Sequence, residues 1–417
     1  MKKLIMGIVI ILALCFSLFT TGCGENEHEG KTVVVFWHAM GGTLGDVLND
    51  MIEDFNEQNP EIFIKSEFMG NYGTLAQKLM ASSMVNGTPT MSQAYENWTH
   101  NFIEGEILTP LEYFIEKHNV NIKDFYEPMI LSNTFDNVIY SYPFNKSMPV
   151  MYVNLDMLKE VGIEKIPETH VELMEAYKKL STKYKGTAFS AKDAWNFFCL
   201  ILQNGGKLTN PEETEAYFDS EAGVKSLNFL MDVIKNDYGF LTQGYDHQTE
   251  FAAKKVGLIV SSSVSKAYMN DITFNWTAAP LPSAKKKASI ISGTNVVIFN
   301  NNPRNCSEEQ QEAAWKFIDW FTQPEQTAHW SIKTNYMPVR KSALETEIMI
   351  NHLKTDEFLK AALDQLPYAD YEPKSGRWYQ SRQEIGDILE KAFIEKKDAS
   401  VYIKEIHNMV NKALKGE

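Results

Sequence analysis

The chain has 417 residues, with 40 Lys+Arg against 54 Asp+Glu and a formal net charge of −14. At 44% hydrophobic and 23% charged residues it has the composition of an ordinary globular protein of two or three domains, which excludes disorder, collagen and coiled coil. The acidic balance argues against a nucleic-acid binder, which needs a basic footprint. It leaves room for an anionic small ligand, because a local pocket can be positive on an acidic surface.

The chain opens with Met1-Lys2-Lys3, an apolar run from Leu4 to Phe19, then Thr20-Thr21-Gly22-Cys23 and a polar stretch. This is the three-part build of a secretory signal. The apolar run is shorter than the roughly 20 residues of a membrane span. Small residues ending in Gly22-Cys23 resemble a bacterial lipobox, although Thr20 stands where an aliphatic residue is usual. The expectation is a signal over 1–22, acylation of Cys23 (diacylglyceryl and palmitate) and a tether over 23–31. That would anchor the protein at the outer face of the cell membrane. Cys199 and Cys306 are far apart, without metal spacing, so no disulfide scaffold is expected. Cys199 lies in an apolar run and reads as core.

From Thr32 the chain alternates strand and helix. Thr32 to Trp37 is a continuous apolar strand. Leu44, Val47, Leu48, Met51, Ile52 and Phe55 then form one helical face, which Asn59-Pro60 stops. Glu61 to Phe68 alternates as a second strand, so this β-α-β unit predicts parallel strands. A helix from Thr74 to about Met84 and a strand near Pro89 to Tyr95 follow. Further on come a strand at Pro149–Asn154, a helix at Asp156–Val161, an apolar helix at Ala194–Gln203, and strands at Val256–Ser261 and Val296–Asn300. Ser307-Glu308-Glu309-Gln310 is a capping box that opens a helix through Phe321. The C-terminus is helical, with stripes at Ile385, Ile388, Leu389, Ala392 and Phe393 and at Ile403, Ile406 and Val410. This alternation predicts an α/β open sheet with ligand loops beyond the carboxyl ends of the strands.

Standard catalytic signatures are absent from the sequence: there is no GxxxxGK[ST], HExxH, GxSxG or post-strand GxGxxG. The histidines do not cluster at metal spacings. Gly41-Gly42-Thr43-Leu44-Gly45 follows a strand and opens a helix, and reads as a tight turn rather than an anion cradle. What recurs is aromatic and hydroxyl residues beside glycines in loops: Asn71-Tyr72-Gly73, Tyr95-Glu96-Asn97-Trp98, Ser261-Ser262-Ser263, Ser292-Gly293-Thr294, Asn335-Tyr336-Met337-Pro338 and Gly376-Arg377-Trp378-Tyr379. Together they suit a pocket that packs a compact polar ligand against rings and satisfies its oxygens.

These segments, with Phe36-Trp37-His38, Pro143-Phe144-Asn145 and Ile290-Ile291, resemble the extracellular solute-binding proteins of carbohydrate-type ABC importers. The likeness is strongest to the branch that binds sn-glycerol 3-phosphate and glycerophosphodiesters, and it runs from about Val33 to the C-terminal helices. It implies an α/β, two-lobe periplasmic-binding-protein-like fold (type II), with mixed sheets flanked by helices, three hinge crossings and the ligand in the interlobe cleft. Crossings are expected near Pro143–Ser147, Asn275–Ala279 and Met337–Lys341. The N-terminal lobe is then 32–144 plus 279–338, and the C-terminal lobe 145–278 plus 339–417.

The resemblance also implies the ligand contacts. Tyr72 and Glu96 would hold glycerol hydroxyls. Ser147, Ser262, Gly293, Tyr336 and Arg377 would share the phosphate, with Arg377 supplying a planar, charge-matched fork. Trp37, Trp98, Trp195 and Trp378 are the expected cleft wall. The chain departs from the family at Ser190–Trp195, where only one of two tryptophans is kept and Lys192, read as solvated, replaces the other. The expected function is that of a monomeric, non-enzymatic capture protein. It needs no cofactor or metal, closes on its ligand and delivers it to an ABC permease. Two alternatives stand beside it: the same fold binding a neutral sugar or oligosaccharide, which gains if Arg377 points away from the cleft, and an exported hydrolase.

Overall fold

The computed structural model describes residues 30–269, 271–300 and 306–417. The expected signal, and Cys23 with its acylation, lie outside these residues. Among the described residues, no helix is long and apolar enough to cross a membrane.

The chain begins as the periodicity predicts. Strand β1 (Thr32–His38) is followed by helix α1 (Gly42–Gln58), β2 (Ile62–Phe68), α2 (Tyr72–Met84), β3 (Met91–Ala94) and α3 (Glu96–Glu104). Leu44, Leu48, Met51, Ile52 and Phe55 form the buried face of α1. β1 pairs in parallel with β2, from Thr32 opposite Ile62 to His38 opposite Phe68, and also in parallel with β3. Strand β4 (Ser141–Pro143) completes this side before the chain leaves it.

The next elements build a second sheet: β5 (Pro149–Asn154), β6 (Lys185–Ser190), helix α4 (Ala194–Gln203), β7 (Gly239–Thr242), β8 (Val256–Ser262) and β9 (Trp276–Ala279). Every residue of β5 is buried, as expected of a strand covered on both faces. Short β10 (Ser289–Ile291) leads back to β11 (Asn295–Ile298), helix α5 (Glu308–Phe321) and helix α6 (Pro324–Thr334). Ser307 and Gln310 form the expected capping box at the start of α5. Helix α7 (Glu357–Leu363), strand β12 (Ala369–Tyr371) and the long helices α8 (Trp378–Glu395) and α9 (Ala399–Lys415) finish the chain.

Among the described residues the strands form two five-stranded sheets, ordered β2-β1-β3-β11-β4 and β9-β5-β8-β6-β7, and two short pairs, β10 with β12 and Thr134–Phe135 with Val138–Ile139. Both sheets are mixed. β11 runs antiparallel to β3 and β4, and β5 runs antiparallel to β8 and β9. The result is two α/β lobes.

Three segments run side by side between the lobes. Lys146 bridges to Met337 and Ser147 bridges to Ser292, with Met337 N–H donating to the Lys146 carbonyl at 2.7 Å. One crossing therefore lies between β4 and β5. The second does not lie at Asn275–Ala279. Those residues lead into and form β9, paired to β5 in the second sheet, and the chain returns to the first sheet only at β11. The expected lobe boundary at 278/279 cuts through that strand. The boundary at 338/339 also moves, because the segment after Met337 stays on the first lobe. Arg340 Nε donates to Thr322 O at 2.7 Å, and Ser342 N–H donates to Asp124 Oδ1 at 2.9 Å.

Candidate functional site

The floor of the cleft starts from a helix cap. The Asn71 side chain accepts the Thr74 N–H at 2.9 Å, which fixes Tyr72 at the first turn of α2. The Tyr72 hydroxyl accepts from Asn145 Nδ2 at 2.8 Å. Asn145 Oδ1 in turn takes Gln93 Nε2 at 3.1 Å and the Thr294 hydroxyl. Rings then run edge to face across the cleft. Centroid distances are 5.3 Å for Tyr72 to Tyr95, 5.2 Å for Tyr95 to Trp98, and 5.9 Å for Trp98 on α3 to Tyr379 on α8. Tyr336 stacks on Trp330 at 5.7 Å with its hydroxyl 4.0 Å from the Met40 sulfur. Burial pushes the hydroxyls of Tyr72, Tyr95 and Tyr336 up from their ordinary range. All three are neutral hydrogen-bonding groups at physiological pH.

Beside this floor sits a buried ion pair. Lys146, in the first crossing, places Nζ 2.8 Å from Glu96 Oε1, with the lysine 1% and the glutamate 17% exposed. The same ammonium donates to Gly293 O at 3.1 Å, and Asn295 Nδ2 donates to Glu96 Oε1 at 3.1 Å. Burial pushes the Lys146 pKa down, and Glu96 works against that shift. Gly293 has φ +106, and a Cβ there would sit 2.0 Å from the Asn145 carbonyl oxygen. Only glycine suits this close approach of two crossings.

The second lobe supplies the opposite wall. Arg382 on α8 donates from Nε to Glu372 Oε1 at 3.2 Å and lies 3.1 Å from Oε2, which also accepts the Trp378 indole N–H at 2.8 Å. Burial opposes the guanidinium's charge, but Glu372, Tyr95 and Asp193 more than offset it, and its pKa is raised. Behind it, burial pushes the Asp193 carboxyl up and His247 down. The walls enclose a cavity of about 160 Å³. Tyr72, Tyr95, Glu96 and Asn97 line it from the first lobe, Ile291 and Ser292 from the second crossing, and Glu372, Pro373, Tyr379, Arg382 and Gln383 from the second lobe.

The structure thus brings Tyr72, Glu96, Gly293 and Tyr336 together around the floor. Ser147 is beside them, its backbone paired with Ser292. Ser262 ends β8; its hydroxyl accepts from Val264 N at 3.3 Å and its carbonyl from the Tyr152 hydroxyl at 2.8 Å. Arg377 is not with the others. It is exposed at the start of α8, and its guanidinium donates to Ala413 O at 3.4 Å on α9. The guanidinium on the cavity wall is that of Arg382.

The tryptophans divide similarly. Trp98 is buried behind Tyr95 and is not among the residues that line the cavity. Trp37 bonds Glu67 at 2.8 Å. Trp195 donates to Ile290 O at 3.1 Å beside the hinge strand. Trp378 does not line the cleft: it is 0% exposed and stacks on Phe218 in the second-lobe core. Lys192 is exposed and pairs with Asp387 at 2.6 Å and Glu390 at 3.3 Å.

Sequence reasoning missed Lys146, Glu372 and Arg382. Arginines flank Trp378-Tyr379 on both sides, and helix phase was the signal that separates them. Among the described residues no group of side chains could hold a metal ion.

Two α/β lobes, strand crossings between them and a polar, aromatic cavity shared by both define a solute-binding protein. Residues 50–356 match the bacterial extracellular solute-binding protein family, and the chain belongs to it. It is 24% identical over 357 residues to the sn-glycerol-3-phosphate-binding periplasmic protein UgpB of Salmonella typhimurium, covering 80% of this chain and 79% of that one. UgpB of Mycobacterium tuberculosis, solved in complex with glycerophosphocholine, superimposes with a TM-score of 0.83 at 24% identity, covering 93% of this chain and 99% of that one. The cyclic alpha-maltosyl-1,6-maltose binding protein of Arthrobacter globiformis gives a TM-score of 0.81 at 21% identity, covering 93% and 100%.

Proposed function

We propose that this protein is the monomeric capture component of an ABC importer, anchored outside the membrane through acylated Cys23. In this reading it binds a glycerophosphodiester, or sn-glycerol 3-phosphate, by hinge closure and passes it to a permease. The observation that carries it is Arg382 in a tyrosine-lined cavity to which both lobes contribute. Closure requires a ligand that touches both lobes, since only differential contacts shift the equilibrium. Tyr72 and Glu96 meet that need from one side and Arg382 from the other. One guanidinium, already sharing its charge with Glu372, matches a singly charged diester better than a monoester, which carries nearly two charges at neutral pH.

A second reading, a neutral sugar, is favoured by the position of Arg377 outside the cleft. Titration calorimetry with glycerophosphocholine, sn-glycerol 3-phosphate and maltose separates the two. Wild-type protein should bind glycerophosphocholine saturably, with maltose silent. Arg382→Gln should weaken that binding at least tenfold, about 1.4 kcal/mol. Maltose binding alone, unchanged in the variant, would move the ligand to the sugar class.

A further inference from the structure

A lysine inside a hinge strand is an unusual choice. Burying an ammonium costs free energy unless it is paired and hydrogen-bonded, and an apolar side chain would fill the same space without that cost. Lys146 is 1% exposed. Its own strand is pinned by neighbours on both sides, through Met337 and through Ser292, so the ammonium cannot swing out to water. Both its partners belong to the ligand floor: Glu96 Oε1 at 2.8 Å and Gly293 O at 3.1 Å. Asn295 occupies the same Glu96 oxygen at 3.1 Å, and is itself held by Asn133 at 2.9 Å. Oε1 is therefore committed. Oε2 carries no hydrogen bond among the described residues, and Glu96 lines the cavity.

We infer that Lys146 is a positioning and specificity-determining residue: from within the crossing it holds Glu96 as a charge-cancelled acceptor of ligand hydroxyls, so that a carboxylate can line the cleft without excluding an anionic solute. The anionic part of this inference rests on the function proposed above. The other charged and titratable groups that face Glu96 do not replace the lysine. Tyr95 is neutral, and Arg382 and Glu372 on the same cavity are paired with each other. Lys374 interacts with Glu96 electrostatically, but its ammonium donates to Leu131 O at 3.1 Å and to Thr134 O.

The test uses purified wild type, Lys146→Met and the double variant Lys146→Met/Glu96→Gln. Each is titrated with glycerophosphocholine and maltose at pH 7.5, and unfolded in urea. Lys146→Met should bind glycerophosphocholine at least tenfold more weakly than wild type. The double variant should bind more tightly than Lys146→Met, though short of wild type because Glu96 itself touches the ligand, and should recover the lost urea midpoint. An unchanged Lys146→Met, an equal loss in both variants, or failure of both to fold would reduce Lys146 to packing and overturn the inference. Wild type that binds maltose and ignores glycerophosphocholine would instead remove the proposed ligand. The positioning role then stands or falls on whether Glu96→Gln restores the midpoint.

Discussion

His38 shows what the sheet asks of a single side chain at the carboxyl end of β1. It is 1% exposed, its Nδ1 accepts the Met40 N–H at 3.2 Å and its Nε2 meets Ser66 Oγ at 2.7 Å. Burial pushes its pKa from 6.5 down to about 4. Below the unfolded pKa, the unfolded chain takes up a proton that the folded chain refuses, so stability must fall as the pH drops from 6.5 toward 4. The full effect approaches about 3 kcal/mol at roughly 1.4 kcal/mol per pH unit. Burial lowers His170 and His247 too, so wild type alone does not isolate it. Urea unfolding from pH 7 to pH 4 should show a shallower decline for His38→Gln than for wild type. Parallel curves would mean that His38 titrates normally. At this scale the sequence is hardest to read. Lys146 looks like a solvated lysine until Glu96 and Gly293, remote in the chain, close around it.

Elements were far more legible than the faces they present. The apolar stripe of α1, the run of β1 and the capping box of α5 predict their structures because each signal is local. Arg377 failed for a reason at the same scale. It is the N-cap of α8, and Arg382 lies five residues on, about 140° further round at roughly 100° per residue. A short matching segment locates a helix and leaves its phase open, so it points to the arginine beside Trp378 and does not reveal the one on the cavity wall. The same logic makes caps testable. Asn71→Ala removes the α2 cap and should cost about 1 kcal/mol, as should Ser307→Ala at α5. The two should differ in function. Asn71 fixes Tyr72, so its variant should also bind ligand several-fold more weakly, whereas Ser307→Ala should leave affinity unchanged. Equal affinities in the two variants would show that Tyr72 is held by Asn145 and not by its helix.

For the whole molecule, the lobe boundaries were missed where strands of one sheet are distant in sequence. β9 reads like any other short apolar strand, and only its pairing with β5 assigns it to the second lobe. The structure shows how far the lobes already meet. Tyr379 reaches Trp98 at 5.9 Å, Asn101 Nδ2 lies 3.5 Å from Gly376 O, and Lys374 Nζ donates to Leu131 O at 3.1 Å. Gly376 carries this contact at closest range: a Cβ there would lie 2.0 Å from Asn101 Oδ1. Asn101 is on α3 of the first lobe, and Gly376 leads into α8 of the second. Alanine would be absorbed by a turn of the asparagine, but leucine would not. Gly376→Leu should therefore leave each lobe folded while holding the cleft open. Expected outcomes are a urea midpoint close to wild type, affinity reduced tenfold or more, and no ligand-induced compaction by small-angle X-ray scattering where wild type contracts. If the variant contracts as wild type does, closure does not bring α3 onto the start of α8, and the motion must be sought about a different axis.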